Sequence, residues 1–147
     1  MSPATRFRLV ALLAIAGLFA SLYMLLYHLG FYGVLACGPG SCDVVQASKW
    51  ARFLGIPVSA WGLAWYGAVL VLALVLQAGR PETGVAGRLL GLAAVAGLAF
   101  SAYLTALELF VIHAVCSWCV VSAALAVAIF LLAAPWRAFA RRTPAPS

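Results

Sequence analysis

Charge is scarce in this chain. Only 8% of its 147 residues are Asp, Glu, Lys or Arg, and just three of those are acidic. So few ionic groups neither solvate a globule nor build the basic surface that grips phosphates, which excludes an ordinary soluble enzyme and a nucleic-acid binder. Runs of about ten residues alternating apolar and polar are missing, so a transmembrane β-barrel is excluded too. No lipidation signal closes the C-terminus. What is present is apolar bulk: 67% hydrophobic residues and a mean hydropathy of +1.12.

That bulk falls into four stretches: Leu9 to Leu29, Val58 to Ala78, Leu89 to Val111 and Ser117 to Ala134. None contains Lys or Arg. Crossing ~30 Å of hydrocarbon takes about 20 residues at ~1.5 Å each, and backbone amides in lipid must pair within their own segment. The expected architecture is an all-α, four-helix membrane bundle forming one domain over residues 1–147. Arg6 and Arg8 before the first stretch, with Ala14-Ile15-Ala16 inside it, superficially suggest a cleaved signal. The apolar character runs on to Leu29, so the reading is an uncleaved first helix. Arg6, Arg8, Arg80, Arg88, Arg137, Arg141 and Arg142 fall on one side of an alternating topology, against Lys49 and Arg52 on the other. The positive-inside rule then puts both termini in the cytoplasm and the 30–57 loop outside, as in a bacterial inner (plasma) membrane.

All four cysteines lie at the outward side: Cys37 and Cys42 in the first loop, Cys116 and Cys119 where the last span begins. Two pairs facing an oxidising compartment suggest disulfide chemistry. Cys116-Ser117-Trp118-Cys119 is a C-x-x-C at a helix start, where unpaired amides and the macrodipole favour a thiolate. Cys37 and Cys42 flank a Gly-Pro-Gly turn, which suits a mobile pair that exchanges with other sulfurs; a static hairpin staple is the alternative. His113 is placed to add positive charge or relay a proton, or simply to be solvated.

Between the loop cysteines and the second span, Asp43 to Leu54 reads as a short amphipathic helix ended by Gly55, lying over the bundle as a lid. Val44, Ala47, Ser48, Ala51 and Leu54 share one face, with Trp50 and Phe53 flanking it. Ser48 is the hydroxyl on that apolar stripe and needs a partner, from ligand, thiolate or backbone. In the third span Ala93, Gly97, Ser101 and Thr105 recur every fourth residue, a row that suits close packing within the bundle or against a second copy.

The combination of a loop cysteine pair, Ser48-Lys49-Trp50, Gly55-Ile56-Pro57-Val58-Ser59 and a C-x-x-C opening the last helix resembles the vitamin K epoxide reductase family over roughly Arg8 to Pro135. The resemblance implies a stand-alone member, a quinone-linked thiol oxidoreductase working with a thioredoxin-like partner in trans. It implies that Cys37 meets that partner, Cys42 exchanges with Cys116, and Cys119 lies against the quinone, with Ser48 beside the pocket. Two features depart from animal members. The loop pair is closer together, and Ala123 stands where those members have a quinone-facing tyrosine, so epoxide reduction and drug sensitivity are not carried over.

Trp61, Trp65 and Tyr66 are candidates to line a quinone pocket (menaquinone, ubiquinone or a relative) or to form an ordinary aromatic belt. Glu108, the one acid inside a span, is a candidate for proton transfer. No resident metal is expected. The rival readings are a four-cysteine structural zinc site and a membrane assembly protein merely braced by disulfides.

Overall fold

The computed structural model describes residues 3–30, 49, 52–79, 84–114 and 116–133. Four helices carry the fold: α1 (Pro3–His28), α2 (Val58–Gln77), α3 (Val85–Ala106) and α4 (Ser117–Ala133). The first three are long and apolar enough to cross a membrane, α3 together with the π-helical turn Leu107–Ile112 that extends it. α4 is equally apolar, and its 17 described residues reach about 26 Å at ~1.5 Å per residue. The chain is an all-α membrane bundle. Its helices pack in a closed ring, α1 on α2, α2 on α3, α3 on α4 and α4 back on α1, with the α1–α2 seam the most extensive.

Because the helices are apolar all round, hydropathy does not mark the side that faces inward; the spacing of the buried positions does. The interior positions follow alternating steps of three and four. In α1 they are Phe7, Val10, Ala14, Gly17, Ser21 and Met24, all buried. In α2, buried Ser59, Tyr66, Val69, Ala73 and Leu76 keep the same spacing, as do Gly87, Leu90 and Ala94 of α3 and Ala126, Ile129 and Ala133 of α4. This is the seam of left-handed bundles, and in lipid it favours small residues that let backbones approach. Lipid-facing positions such as Leu12, Phe19, Val71, Leu74, Leu92 and Leu131 are correspondingly large and exposed.

The two ends of the bundle are filled differently. At one end Phe7, Val10, Val69, Leu76, Leu90 and Ile129 pack a solid core. There the buried Arg6 donates from Nε to the Leu132 carbonyl (3.0 Å) and from Nη2 to the Ala133 carbonyl (3.3 Å), closing the C-terminus of α4 with a cation. A guanidinium suits that position, since the last carbonyls of a helix are unpaired and carry its negative pole. At the other end glycine, serine and alanine of the seam leave a space that aromatic side chains border.

Residues 52–57 correct the sequence reading. The lid helix was expected to continue to Leu54, but Arg52–Phe53 (β1) and Ile56–Pro57 (β2) pair antiparallel in a tight hairpin. The cause lies in the turn: Leu54 (φ 54°) and Gly55 (φ 79°) are both left-handed, the arrangement of a two-residue hairpin connection that matches strand twist. The helix expected over 43–51 lies outside the described residues, apart from exposed Lys49.

Candidate active site

At the open end, the helices enclose a cavity of about 380 Å³, within the range of small-ligand pockets. α2 contributes Ser59, Trp61, Gly62, Trp65 and Tyr66, while α3 and its extension contribute Gly97, Phe100, Ser101 and Glu108. α4 contributes Cys119, Ser122 and Ala123, α1 contributes Ser21 and Met24, and Phe53 of the hairpin reaches in from the rim. The sequence candidates Cys119, Trp61, Trp65, Tyr66, Ala123 and Glu108 are therefore brought together on one wall system. Ser48, Cys37 and Cys42 lie outside the described residues. His113 is exposed and is not among the cavity residues.

The aromatic side chains are held by specific bonds. Trp65 donates from Nε1 to the Ala93 carbonyl at 2.9 Å, and the Tyr66 hydroxyl bonds both the Ser122 carbonyl and the Ser122 hydroxyl at 2.9 Å. Tyr66 is only 1% exposed, so this anchoring across the bundle satisfies a phenol that burial would otherwise penalise. Two glycines make room for the rings: a Cβ on Gly17 would collide with the Tyr66 ring, and one on Gly97 with the Trp65 ring. At Gly97 the small-residue row of α3 serves packing within the bundle. Trp61 donates from Nε1 to the Phe53 carbonyl at 3.0 Å, tying the hairpin to α2, and Phe53 stacks edge-on against Trp61 and Phe100.

The sulfur pair is positioned by the end of the third helix. The π-helical turn closes with the His113 amide donating to the Glu108 carbonyl, after which His113 adopts a left-handed conformation (φ 57°) and reverses the chain. Ala114 N–H also returns to the Glu108 carbonyl, at 3.1 Å. Widened turns of this type concentrate at functional sites. The reversal brings the Cys116 amide to the Glu108 carboxylate, at 3.3 Å from Oε2, and Glu108 lies within hydrogen-bonding reach of the Cys119 thiol. Glu108 is 6% exposed, so these contacts hold a carboxyl group that burial alone would disfavour.

Cys116 and Cys119 lie side by side, their sulfurs not joined in a disulfide. Cys116 is fully buried against Met24, ringed by Tyr23, Tyr27, Ile112 and Trp118, with Tyr23 and Trp118 in contact at 5.0 Å between centroids. Its sulfur accepts the Cys119 amide at 3.4 Å, an unpaired donor of the first turn of α4. Hydrogen bonding from the Cys119 thiol, aided by the Cys119 and Trp118 amides, holds the Cys116 thiol below its usual range, against the opposing pull of burial and of the Glu108 charge. A C-x-x-C at a helix start whose first thiol is held below its usual range is arranged for thiol–disulfide exchange.

The sequence model of the vitamin K epoxide reductase family matches residues 8–134. The chain belongs to that family. Membership implies, in general terms, a membrane quinone-linked thiol oxidoreductase, and places the buried C-x-x-C beside the cavity in that context. Sequence reasoning missed Ser59, whose oxygen is buried in the cavity wall without a hydrogen-bond partner among the described residues. It also missed Gly17 and Gly62. The spacing of small and polar residues along the interior seam is the signal that points to all three.

Proposed function

We propose that this family member reoxidises a thioredoxin-like partner for disulfide formation, passing electrons through Cys37 and Cys42 to Cys116 and Cys119 and then to a quinone in the cavity. The observation that carries the reading is a C-x-x-C whose second cysteine lines an apolar, aromatic cavity while its first, buried beside it, has its thiol held below the usual range. The residues present fit a quinone ring: flat aromatic walls from Trp61 and Trp65, a sulfur donor, and one acid. Membrane placement with both termini cytoplasmic and all four cysteines outside completes the proposal, on the basis of the arginine asymmetry.

In this scheme the partner's two thiols become a disulfide as the Cys37–Cys42 bond is reduced. Cys42 then attacks the Cys116 sulfur of a Cys116–Cys119 disulfide, the Cys119 sulfur leaves, and Cys37 resolves the mixed disulfide. Cys119, on the cavity wall, gives up the electron pair as Cys116 closes back onto it. The Cys119 sulfur leaves as a thiolate and takes up a proton through Glu108. As that sulfur gives up its electron pair, Glu108 takes the proton back and passes it into the cavity, and the second proton comes from the outward aqueous face. The Cys116 amide steadies the carboxylate. A bound quinone supplies the sink for two electrons and two protons.

The test is anaerobic mixing of the purified chain, a reduced thioredoxin-like protein and a soluble quinone, with Cys42→Ala, Cys119→Ala and Glu108→Gln alongside. Quinol is expected from wild type alone among the first three proteins. For Glu108→Gln, which keeps a hydrogen-bond acceptor but no longer takes a proton, turnover falls on the order of 100-fold. Turnover by both cysteine variants would refute the relay.

A further inference from the structure

Ser59 stands in the first turn of α2, after Pro57 at the N-cap position, and is 6% exposed. A serine near a helix start commonly spends its hydroxyl on a backbone amide, but α2 has no side-chain cap, and Ser59 Oγ has no protein partner among the described residues. The polar groups that follow it on α2 are engaged: Trp61 with Phe53, Trp65 with Ala93, Tyr66 with Ser122. Leaving a buried hydroxyl unmatched destabilises the folded chain, and native structures rarely tolerate it without a reason. Here the residue that carries the unmatched oxygen lines the cavity, on the helix diagonally across the ring from the one that carries Cys119, so a turn of its side chain brings the hydroxyl to the cavity.

We infer that Ser59 is a quinone-positioning residue whose hydroxyl donates a hydrogen bond to a ring carbonyl oxygen. This rests on the proposed quinone site and adds to it a fixed orientation. As the electron pair leaves Cys119, negative charge builds on the ring oxygens, and a hydroxyl donor held in the wall beside one of them stabilises that charge. No other buried side-chain hydroxyl, amide or charged atom among the described residues is left unmatched, so the contact fixes the ring at one edge while the aromatic walls hold its faces.

The experiment uses the purified full chain in detergent and menadione as probe. Binding is read by quenching of tryptophan emission, the bound carbonyl by infrared difference spectroscopy with ¹³C-labelled quinone, and stability by thermal unfolding of the quinone-free protein. For Ser59→Ala we expect affinity to fall about three- to tenfold, the value of one neutral hydrogen bond. The bound carbonyl stretch should move to higher frequency, and the quinone-free variant should melt at or above the wild-type temperature because no protein bond is lost. Ser59→Thr, which keeps the hydroxyl, should restore the carbonyl band.

Two results overturn the inference alone: a Ser59→Ala protein with wild-type affinity and an unshifted band, or one whose quinone-free form melts several degrees lower, which would give the hydroxyl a structural partner. A wild-type chain that binds no menadione overturns both this inference and the quinone reading beneath it.

Discussion

Cys116 and Cys119 differ by three positions and by environment. Cys116 lies between the membrane-spanning segments, wholly buried, with its sulfur receiving hydrogen bonds from the Cys119 thiol and from first-turn amides. Those donors favour the thiolate, so its pKa is depressed. The sign follows: as pH falls below the ordinary thiol range, an unperturbed cysteine protonates first and Cys116 keeps its charge longer. Between its folded and unfolded pKa values the native state binds fewer protons, so Cys116 contributes stability above the unfolded value that is lost as pH falls through the folded one. Thiolate absorbance near 240 nm should therefore persist in wild type to lower pH than in Cys116→Ser. Identical titrations would remove the assigned thiolate.

Gly97 acts at the same scale by what it lacks. Its Cβ position coincides with the Trp65 ring, so Gly97→Ala must displace a side chain whose Nε1 is anchored to Ala93 and whose face borders the cavity. Overpacking of this kind costs about 1–3 kcal/mol. The variant should melt at lower temperature and bind quinone more weakly; unchanged melting and quenching would mean that Trp65 does not need the space.

The element that most shapes the site is the widened turn at the end of the third helix. It carries Glu108 to the Cys116 amide and ends in a left-handed histidine, a residue type that tolerates that conformation better than most. At the opposite end of the molecule, Arg6 closes α4. Sequence reading counts Arg6 only as a topology-setting charge, whereas the structure adds two hydrogen bonds to the carbonyls of Leu132 and Ala133. Arg6→Ala should destabilise the chain by about 1.5–3 kcal/mol, the worth of charged hydrogen bonds, as read by urea or thermal unfolding in detergent. A change within error would reduce Arg6 to a surface charge.

For the molecule as a whole, four apolar stretches, a closing C-x-x-C and a lone intramembrane acid are legible because each is a departure from composition that physics penalises in water or in lipid. The spans agree with the helices to within a few residues at most ends. α1 and α3 begin earlier, at Pro3 and Val85, because helix continues past the apolar boundary. Two features were hidden. The hairpin at 52–57 depends on Leu54 accepting a left-handed backbone, which side-chain pattern does not announce. The inward faces were hidden because both sides of every helix are hydrophobic, so the usual amphipathic signal is weak. Residues such as Ser21, Ser59, Gly62 and Ser122 disclose the interior only when their three-and-four spacing is followed through all four helices.

The seam is bulky at the Arg6 end and small at the cysteine end, and this asymmetry gives the two halves different compressibility. Space not filled by side chains is the part of a protein that hydrostatic pressure can remove. Under a few kilobar, backbone amide resonances around Cys119, Gly97 and Gly62 should shift with curvature, while those around Val10, Val69 and Ile129 respond linearly. Saturating quinone should straighten the first set. The same half of the bundle would then be soft when vacant and hard when charged with oxidant, a mechanical difference between the two forms.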